Sequence, residues 1–261
     1  MTQPVTTFDF DAVDPTASDP TAPTYPLAQW HNGNPALEAA AGLVHTGGIF
    51  LPQKYLEEDA RIPAWKPVKV RFRSGKTEAG LGTQAAVLAV IRTRFQWFVR
   101  RGKVTHYYPR AGWMAGSGMR GHLQILAAVY GYPAPISITF KGKASQCLEA
   151  LLKEFAARVV SEGNKNAPSG KALPRYAFWL KVVPGEAVLA GQEGQQSAVT
   201  PPTLCLPKEI TPEYLGKVYV GRDNLIKFQR WFHEAALWAS AWDTPGAEEA
   251  DPQDEGDEVT E

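Results

Sequence analysis

Ala85 to Val99 is a run of fifteen residues without a proline, a glycine or an acid. Its aliphatic, β-branched and aromatic side chains predict one long strand. Successive side chains of a strand point to opposite faces, so Val87, Ala89, Ile91, Thr93, Phe95, Trp97 and Val99 are expected on one face. The other face changes character along its length, from Leu88 and Val90 to Arg92, Arg94, Gln96, Phe98 and Arg100. Arg100-Arg101-Gly102-Lys103 then reads as a hairpin turn with Gly102 at positive φ, and Val104–Tyr108 as the returning strand. A chain built around this segment must put a sheet at its centre.

The remaining pattern agrees. Val68-Lys69-Val70-Arg71-Phe72-Arg73 alternates apolar and basic residues, which predicts a strand with Val68, Val70 and Phe72 in the core and Lys69, Arg71 and Arg73 opposite. Gly48–Leu51 (stopped by Pro52), His122–Tyr130, Ile136–Phe140 and Tyr176–Val183 read as further strands. Ser145 is expected to cap a helix reaching about Val160, with Leu148, Leu151, Leu152, Phe155 and Val159 on one face. A last helix is expected from about Asn224 to Trp242, and residues 184–203, rich in Gly, Gln and Pro, are expected to be mobile. The fold class that fits is mainly β (α+β): an OB-like curved β-barrel with one inserted helix and a C-terminal helix.

Charge divides the chain. The 27 Lys and Arg balance the 27 Asp and Glu only in total. Residues 1–24 hold four acids and residues 243–261 hold nine, and neither end has a Lys or Arg. The remaining 14 acids and all 27 cations fall in residues 25–242, which carry +13. The expected organisation is a disordered acidic segment (1–24), a single nucleic-acid-binding domain (25–242) and a disordered acidic tail (243–261). A basic body between acidic ends points to a polyanion partner, with the tail competing for the same surface. No apolar run approaches the roughly 18–20 residues that span a bilayer. The N-terminus lacks a signal-peptide pattern, and Cys147 and Cys205 are expected as reduced thiols, so a cytoplasmic protein without a membrane partner is expected.

Between residues 61 and 120 there are thirteen basic residues and one acid, Glu78. The same window holds Trp65, Phe72, Phe95, Trp97, Phe98, Tyr107, Tyr108 and Trp113. Binding a single strand needs both classes, because cations neutralise phosphates and aromatic faces stack on unpaired bases. The candidate phosphate contacts are Lys69, Arg71, Arg73, Lys76, Arg92, Arg94, Arg100, Arg101, Lys103 and Arg120. Phe98, Tyr107, Tyr108 and Trp113 are the candidate stacking residues, whereas Phe72, Phe95 and Trp97 fall on faces assigned to the core.

Other chemistries find less support. Gly116-Ser117-Gly118-Met119-Arg120-Gly121 spells a dinucleotide fingerprint, but the residues before it make a poor strand and those after it read as strand rather than helix. The five histidines show no metal-ligand spacing, and neither clustered carboxylates nor a nucleophile elbow is evident. No metal, no cofactor and no catalysis are expected.

Several phrases resemble a poorly characterised bacterial family of similar length and layout. They include His45-Thr46-Gly47-Gly48-Ile49-Phe50-Leu51-Pro52, Arg120-Gly121-His122-Leu123-Gln124, Tyr176-Ala177-Phe178-Trp179-Leu180 and Trp238-Ala239-Ser240-Ala241-Trp242-Asp243. In layout alone the chain also resembles bacterial and phage single-stranded DNA-binding proteins. That resemblance implies an OB-fold and an acidic tail that recruits replication or repair proteins. Here the chain ends Asp257-Glu258-Val259-Thr260-Glu261 rather than on an apolar residue, so electrostatic competition with the nucleic acid is the expected role of the tail.

The expected function is therefore non-enzymatic, sequence-tolerant binding of single-stranded DNA, with homo-oligomerisation compatible with the long strands. The alternatives are an RNA-binding subunit of a ribonucleoprotein or defence complex, a nucleic-acid-processing enzyme, and an adaptor whose basic face meets an acidic protein.

Overall fold

The long strand is the spine of the molecule. In the computed structural model, residues 22–32, 47–56, 61–71, 76–167, 172–191 and 197–249 are described. They form strands β1 (Leu27–His31), β2 (Gly48–Pro52), β3 (Lys66–Arg71), β4 (Thr77–Thr83), β5 (Ala86–Arg101), β6 (Val104–Pro109), β7 (Arg120–Val129) and β8 (Pro135–Lys141). Helices α1 (Lys143–Phe155) and α2 (Ser161–Lys165) follow, joined by a π-helical turn at Ala156–Val160. Then come β9 (Leu180–Pro184), β10 (Val188–Ala190), β11 (Ser197–Val199) and β12 (Pro202–Leu204). The chain closes with α3 (Pro212–Val218), α4 (Arg222–Glu234), α5 (Ala236–Ser240) and β13 (Gly246–Glu249).

An eleven-stranded sheet runs β12-β9-β5-β7-β8-β1-β2-β4-β3, with β6 added on β5 and β13 added on β6. The sheet is strongly curled into a half-barrel. All its pairs are antiparallel except β1 with β8. One edge of β5 is held by β7 from Leu88 to Phe98. Its other edge is shared, with β9 taking Ala86–Leu88 and β6 taking Gln96–Arg101.

The expected parity of β5 does not survive along its whole length. Val90 faces Ala127 and Arg92 faces Leu126, so Ile91 is an extra residue, a β-bulge. An added residue inverts the side-chain alternation beyond it. Leu88 and Val90 lie in the main core with Leu123, Ile125 and Ala127, while Ala89 and Ile91 lie with Leu126 and Ala128 on the opposite face. Past the bulge it is Phe95 that packs on the main core, and Arg92 and Arg94 turn to the other face. The change from aliphatic to basic at Arg92 was the trace of this bulge.

Helices cover both faces. Leu148, Leu152 and Phe155 of α1 are buried in the main core, where Trp30 also stacks on Phe140 at 5.6 Å. Phe228 and Trp231 of α4 and Trp238 of α5 close the second core. The expected single C-terminal helix is thus two, broken at Ala235. The inserted helix starts earlier than expected: Gly142 is its N-cap, and the buried Ser145 hydroxyl donates to the Gly142 carbonyl at 2.7 Å. Tyr176 belongs to a 3-10 turn at Arg175–Ala177 before β9, and the stretch expected to be mobile supplies β10, β11 and β12. Val70 is buried as expected, but it packs with Val68 on Phe50 in a small cluster apart from the main core. Cys147 and Cys205 are free thiols. Among the described residues no helix is long and apolar enough to cross a membrane.

The G-x-G-x-x-G glycines serve the backbone. Gly116 and Gly118 take positive φ (71° and 70°), and Gly121 lies in β7, where a Cβ would come within 2.5 Å of the Ser145 hydroxyl. A strand follows the motif, so the helix a dinucleotide site requires is missing. The tightest strand glycine is Gly80 of β4, where a Cβ would overlap the Leu51 carbonyl and approach the Phe50 ring to 2.8 Å. Gly80→Ala should destabilise the fold by about 1–3 kcal/mol. Gly216→Ala, in α3 with nothing within 4 Å of the added methyl, should stabilise it by roughly 0.5–1 kcal/mol. Denaturant unfolding of the two variants should show these opposite signs.

Candidate nucleic-acid interface

The last β7 partner of β5 is Arg120, opposite Phe98, so the end of the β5–β6 hairpin runs past the body of the sheet. Gly102 makes its turn at φ 61°. Arg101 and Lys103 are exposed at the tip, and Arg100 donates from Nε to the Gly102 carbonyl at 3.1 Å. The Lys-Arg density of this segment thus becomes a cationic tip because the turn falls where it does.

Below the tip, one face of the hairpin carries the cross-strand pair Trp97 and Tyr108. The chain leaves β6 through a 3-10 turn at Arg110–Gly112, and the Trp97 indole donates to the Arg110 carbonyl at 3.0 Å. That bond brings Trp113 to 6.4 Å from Trp97, and Phe95 meets Trp97 edge-on at 4.8 Å. Trp113 is 56% exposed and Met114 46%. Arg110 lies over Phe95 at 4.3 Å and pairs with Glu149 of α1 at 2.9 Å. Burial works to raise the Glu149 pKa, but hydrogen bonds from Arg110 and Lys153 outweigh it and hold the carboxyl below its usual range. Aromatic faces and cations are interleaved here, which is the arrangement a single strand requires.

Arg92 and Arg94, expected on an open face, are roofed by the C-terminal helices. Arg92 donates from Nε to the Phe232 carbonyl and lies 3.8 Å over the Phe232 ring. Arg94 donates to the Trp238 carbonyl from Nη1 (2.9 Å) and to Gln124 Oε1 from Nη2 (2.7 Å) and Nε (2.9 Å). Gln124 in turn donates to Thr139 at 2.8 Å. Carbonyls near a helix C-terminus lack intrahelical donors and carry the negative end of the dipole, so they suit a guanidinium. Burial lowers the Arg94 pKa to about 10, which leaves it cationic at neutral pH.

Phe98, Tyr107 and Arg120 share the other face of the hairpin through the pairs Phe98–Tyr107 and Phe98–Arg120. There they meet groups that the sequence did not single out. His122 lies 6.1 Å from Phe98, 6.2 Å from Tyr107 and 4.4 Å from Trp242. Lys141, opposite His122 on β8, approaches the Phe98 ring at 5.9 Å. Only the tertiary pairing of β7 with β8, and the return of the C-terminus, assemble this group. Gln96 donates to His122 Nδ1 at 3.1 Å, so the neutral imidazole carries its proton on Nε2, which is buried and has no hydrogen-bond partner among the described residues.

The acidic tail starts later than expected. Gly246–Glu249 pair antiparallel with β6, from Gly246 opposite Tyr107 to Glu249 opposite Val104. With β5 on one side only, β6 offers a free edge of donors and acceptors, and the chain's own C-terminal segment occupies it. The backbone leaves this pairing at the tip that bears Arg101 and Lys103. Residues 250–261, with six more acids, and residues 1–21 lie outside the described residues.

The other candidate cations sit at the far end of the sheet order. Lys69 is exposed on β3, Arg71 ends that strand opposite Thr77, and Lys76 pairs with Glu78 at 2.9 Å. Arg73 and Phe72 lie outside the described residues. Trp97, assigned to the core by simple alternation, shares a face with Phe95 but is only half-buried, because it lies where the hairpin runs past the body of the sheet. Among the described residues no three His, Cys, Asp or Glu side chains gather as a metal cage. No protein-family model, curated protein or solved structure matches this chain.

Burial first, then the nearby charges of Lys141 and Arg94, push the His122 pKa well below the usual 6.5. The unfolded chain therefore takes up this proton before the folded one does. The stability that His122 contributes is complete above about pH 6.5 and declines as pH falls towards the folded-state pKa. Between pH 7.5 and 5.5 the wild type should lose about 1 kcal/mol more than His122→Gln, which denaturant titrations at the two pH values would measure.

Proposed function

We propose that this chain binds single-stranded DNA without sequence preference and acts by binding rather than catalysis. The observation that carries the reading is the hairpin itself. It carries the exposed Arg101 and Lys103 at its tip, the half-buried Trp97 and Tyr108 on one face and the exposed Trp113 beside them. Phosphates would lie along the tip and along Arg110, and unpaired bases would stack on Trp113 and Trp97. Such contacts read little base identity, so binding is sequence-tolerant. The likeness to an OB barrel lies in the curled sheet and its projecting hairpin; that barrel has five strands, whereas this sheet has eleven. The acids that follow β13 compete with DNA phosphates for the tip.

Anisotropy of a labelled oligo(dT) across a salt series tests this. Arg101→Gln/Lys103→Gln should weaken binding and reduce the slope of log K against log salt by about 1–1.5, as loss of two single-strand phosphate contacts requires. Trp113→Ala should weaken binding about tenfold while leaving that slope unchanged, because a stacked base is worth about 1–3 kcal/mol. Duplex bound as tightly as single strand would overturn the stacking assignment, and an RNA strand that outcompetes the DNA would reassign the ligand.

A further inference from the structure

Trp242 is the tryptophan that meets a buried histidine. Its indole lies 4.4 Å from the His122 ring, and the Arg94 guanidinium lies over it at 4.2 Å, as it does over Trp238. Phe98 and Tyr107 border the same slot through His122. A flat heterocycle gripped by a guanidinium and an aromatic ring is how proteins hold an unpaired base. Indole, however, satisfies the slot incompletely. Its only polar group is a donor, so it offers no lone pair to the buried His122 Nε2–H, which has no hydrogen-bond partner among the described residues. A buried donor left unpaired is unfavourable. Nucleobases carry ring nitrogens and carbonyl oxygens that accept.

The surroundings lead a strand to this place. A cleft of about 240 Å³, bounded by Thr93, Phe95, Arg110, Ala239, Trp242 and Asp243, opens beside β5 between its β9 and β6 pairings. Arg110 and Phe95 on its wall belong to the Trp97–Trp113 surface, so the cleft joins that surface to the Trp242 slot. Lys141 and Arg120 flank Phe98 with positive charge. Trp242 itself lies past the end of α5 and is followed after three residues by β13, whose four residues pair with β6 among the described residues.

We infer that the Trp242 slot is a nucleobase subsite, in which an acceptor atom of an unpaired base accepts a hydrogen bond from His122 Nε2–H, and that Trp242 fills it in the closed form. This rests on the proposed single-strand binding and deepens it. Entry of the base requires residues 242–249 to lift together, which withdraws Trp242 and Asp243 and frees the β6 edge in one movement. Competition by the C-terminus is then steric at the slot as well as electrostatic at the tip.

The test locks the segment in the full-length chain. With Cys147 and Cys205 replaced by Ser, Ala247→Cys and His106→Cys place thiols at facing positions of β13 and β6. Oligo(dT) should bind the oxidised form at least tenfold more weakly than the reduced form, and Trp242→Ala should bind at least several-fold more tightly than the parent. Equal affinity of oxidised and reduced forms, in a protein that binds oligo(dT), overturns the subsite and leaves the open hairpin surface as the binding site. Absence of oligo(dT) binding by the parent, the reduced form and Trp242→Ala alike at low salt overturns the single-strand reading and the subsite with it. Should Trp242→Ala fail to fold, the oxidised and reduced pair decides alone.

Discussion

Ile91 has no counterpart on β7, and the placement of the whole C-terminal third follows from that extra residue. Without the bulge, Arg92 and Arg94 would continue on the face of Leu88 and Val90 and enter the main core, where buried guanidinium groups would meet only hydrocarbon. With it, both reach the opposite face, where the carbonyls of Phe232 and Trp238 accept hydrogen bonds from their guanidinium groups. The arginines and the helix ends satisfy each other. Removing one partner of such a half-buried pair leaves the other less well compensated, which is how a polar contact can fix a docking position that apolar packing alone would leave loose.

From that docking the position of the chain end follows. Holding α4 and α5 against β5 sets Trp242 over His122, and the short turn after it delivers Gly246–Glu249 to the free edge of β6. The hairpin is thereby made asymmetric. Phe98 and Tyr107 face His122 and Trp242, while Trp97 and Tyr108 face the exposed Trp113. The backbone of β13 ends at Glu249 opposite Val104, beside the cationic tip.

Much of the sheet was legible because alternation and turn chemistry are local. β5, β6, β7 and β8 fall within about two residues of the expected bounds, and Gly102 makes the turn its position required. β4 was not legible: Gly80 and Gly82 lower its strand propensity, and it exists because β2 and β3 pair with both its edges. β1 is a five-residue strand whose apolar residues give too short a pattern to read. Tyr176 looked like part of a strand, but its ring packs against Phe232 of α4, and the backbone turns to allow it. For the site, Trp113 was readable as an exposed aromatic in a Gly-rich connection. Trp97 lies on the face of Phe95 but beyond the body of the sheet, which alternation cannot show, and His122 and Trp242 offered no signal, since they lie 120 positions apart.

By itself the sequence determined a mainly β protein with a long central strand, a basic-aromatic hairpin, an inserted amphipathic helix and acidic ends. These are consequences of side-chain period, turn residues and charge count, all of which act between neighbours in the chain. Tertiary structure alone decided which cations stay in solvent and which clamp helices, which aromatic face is open, and that the tail begins as a strand on β6. Those outcomes depend on a single unpaired residue and on contacts between distant segments. There the need of each buried donor for an acceptor, rather than any local preference, selects the arrangement.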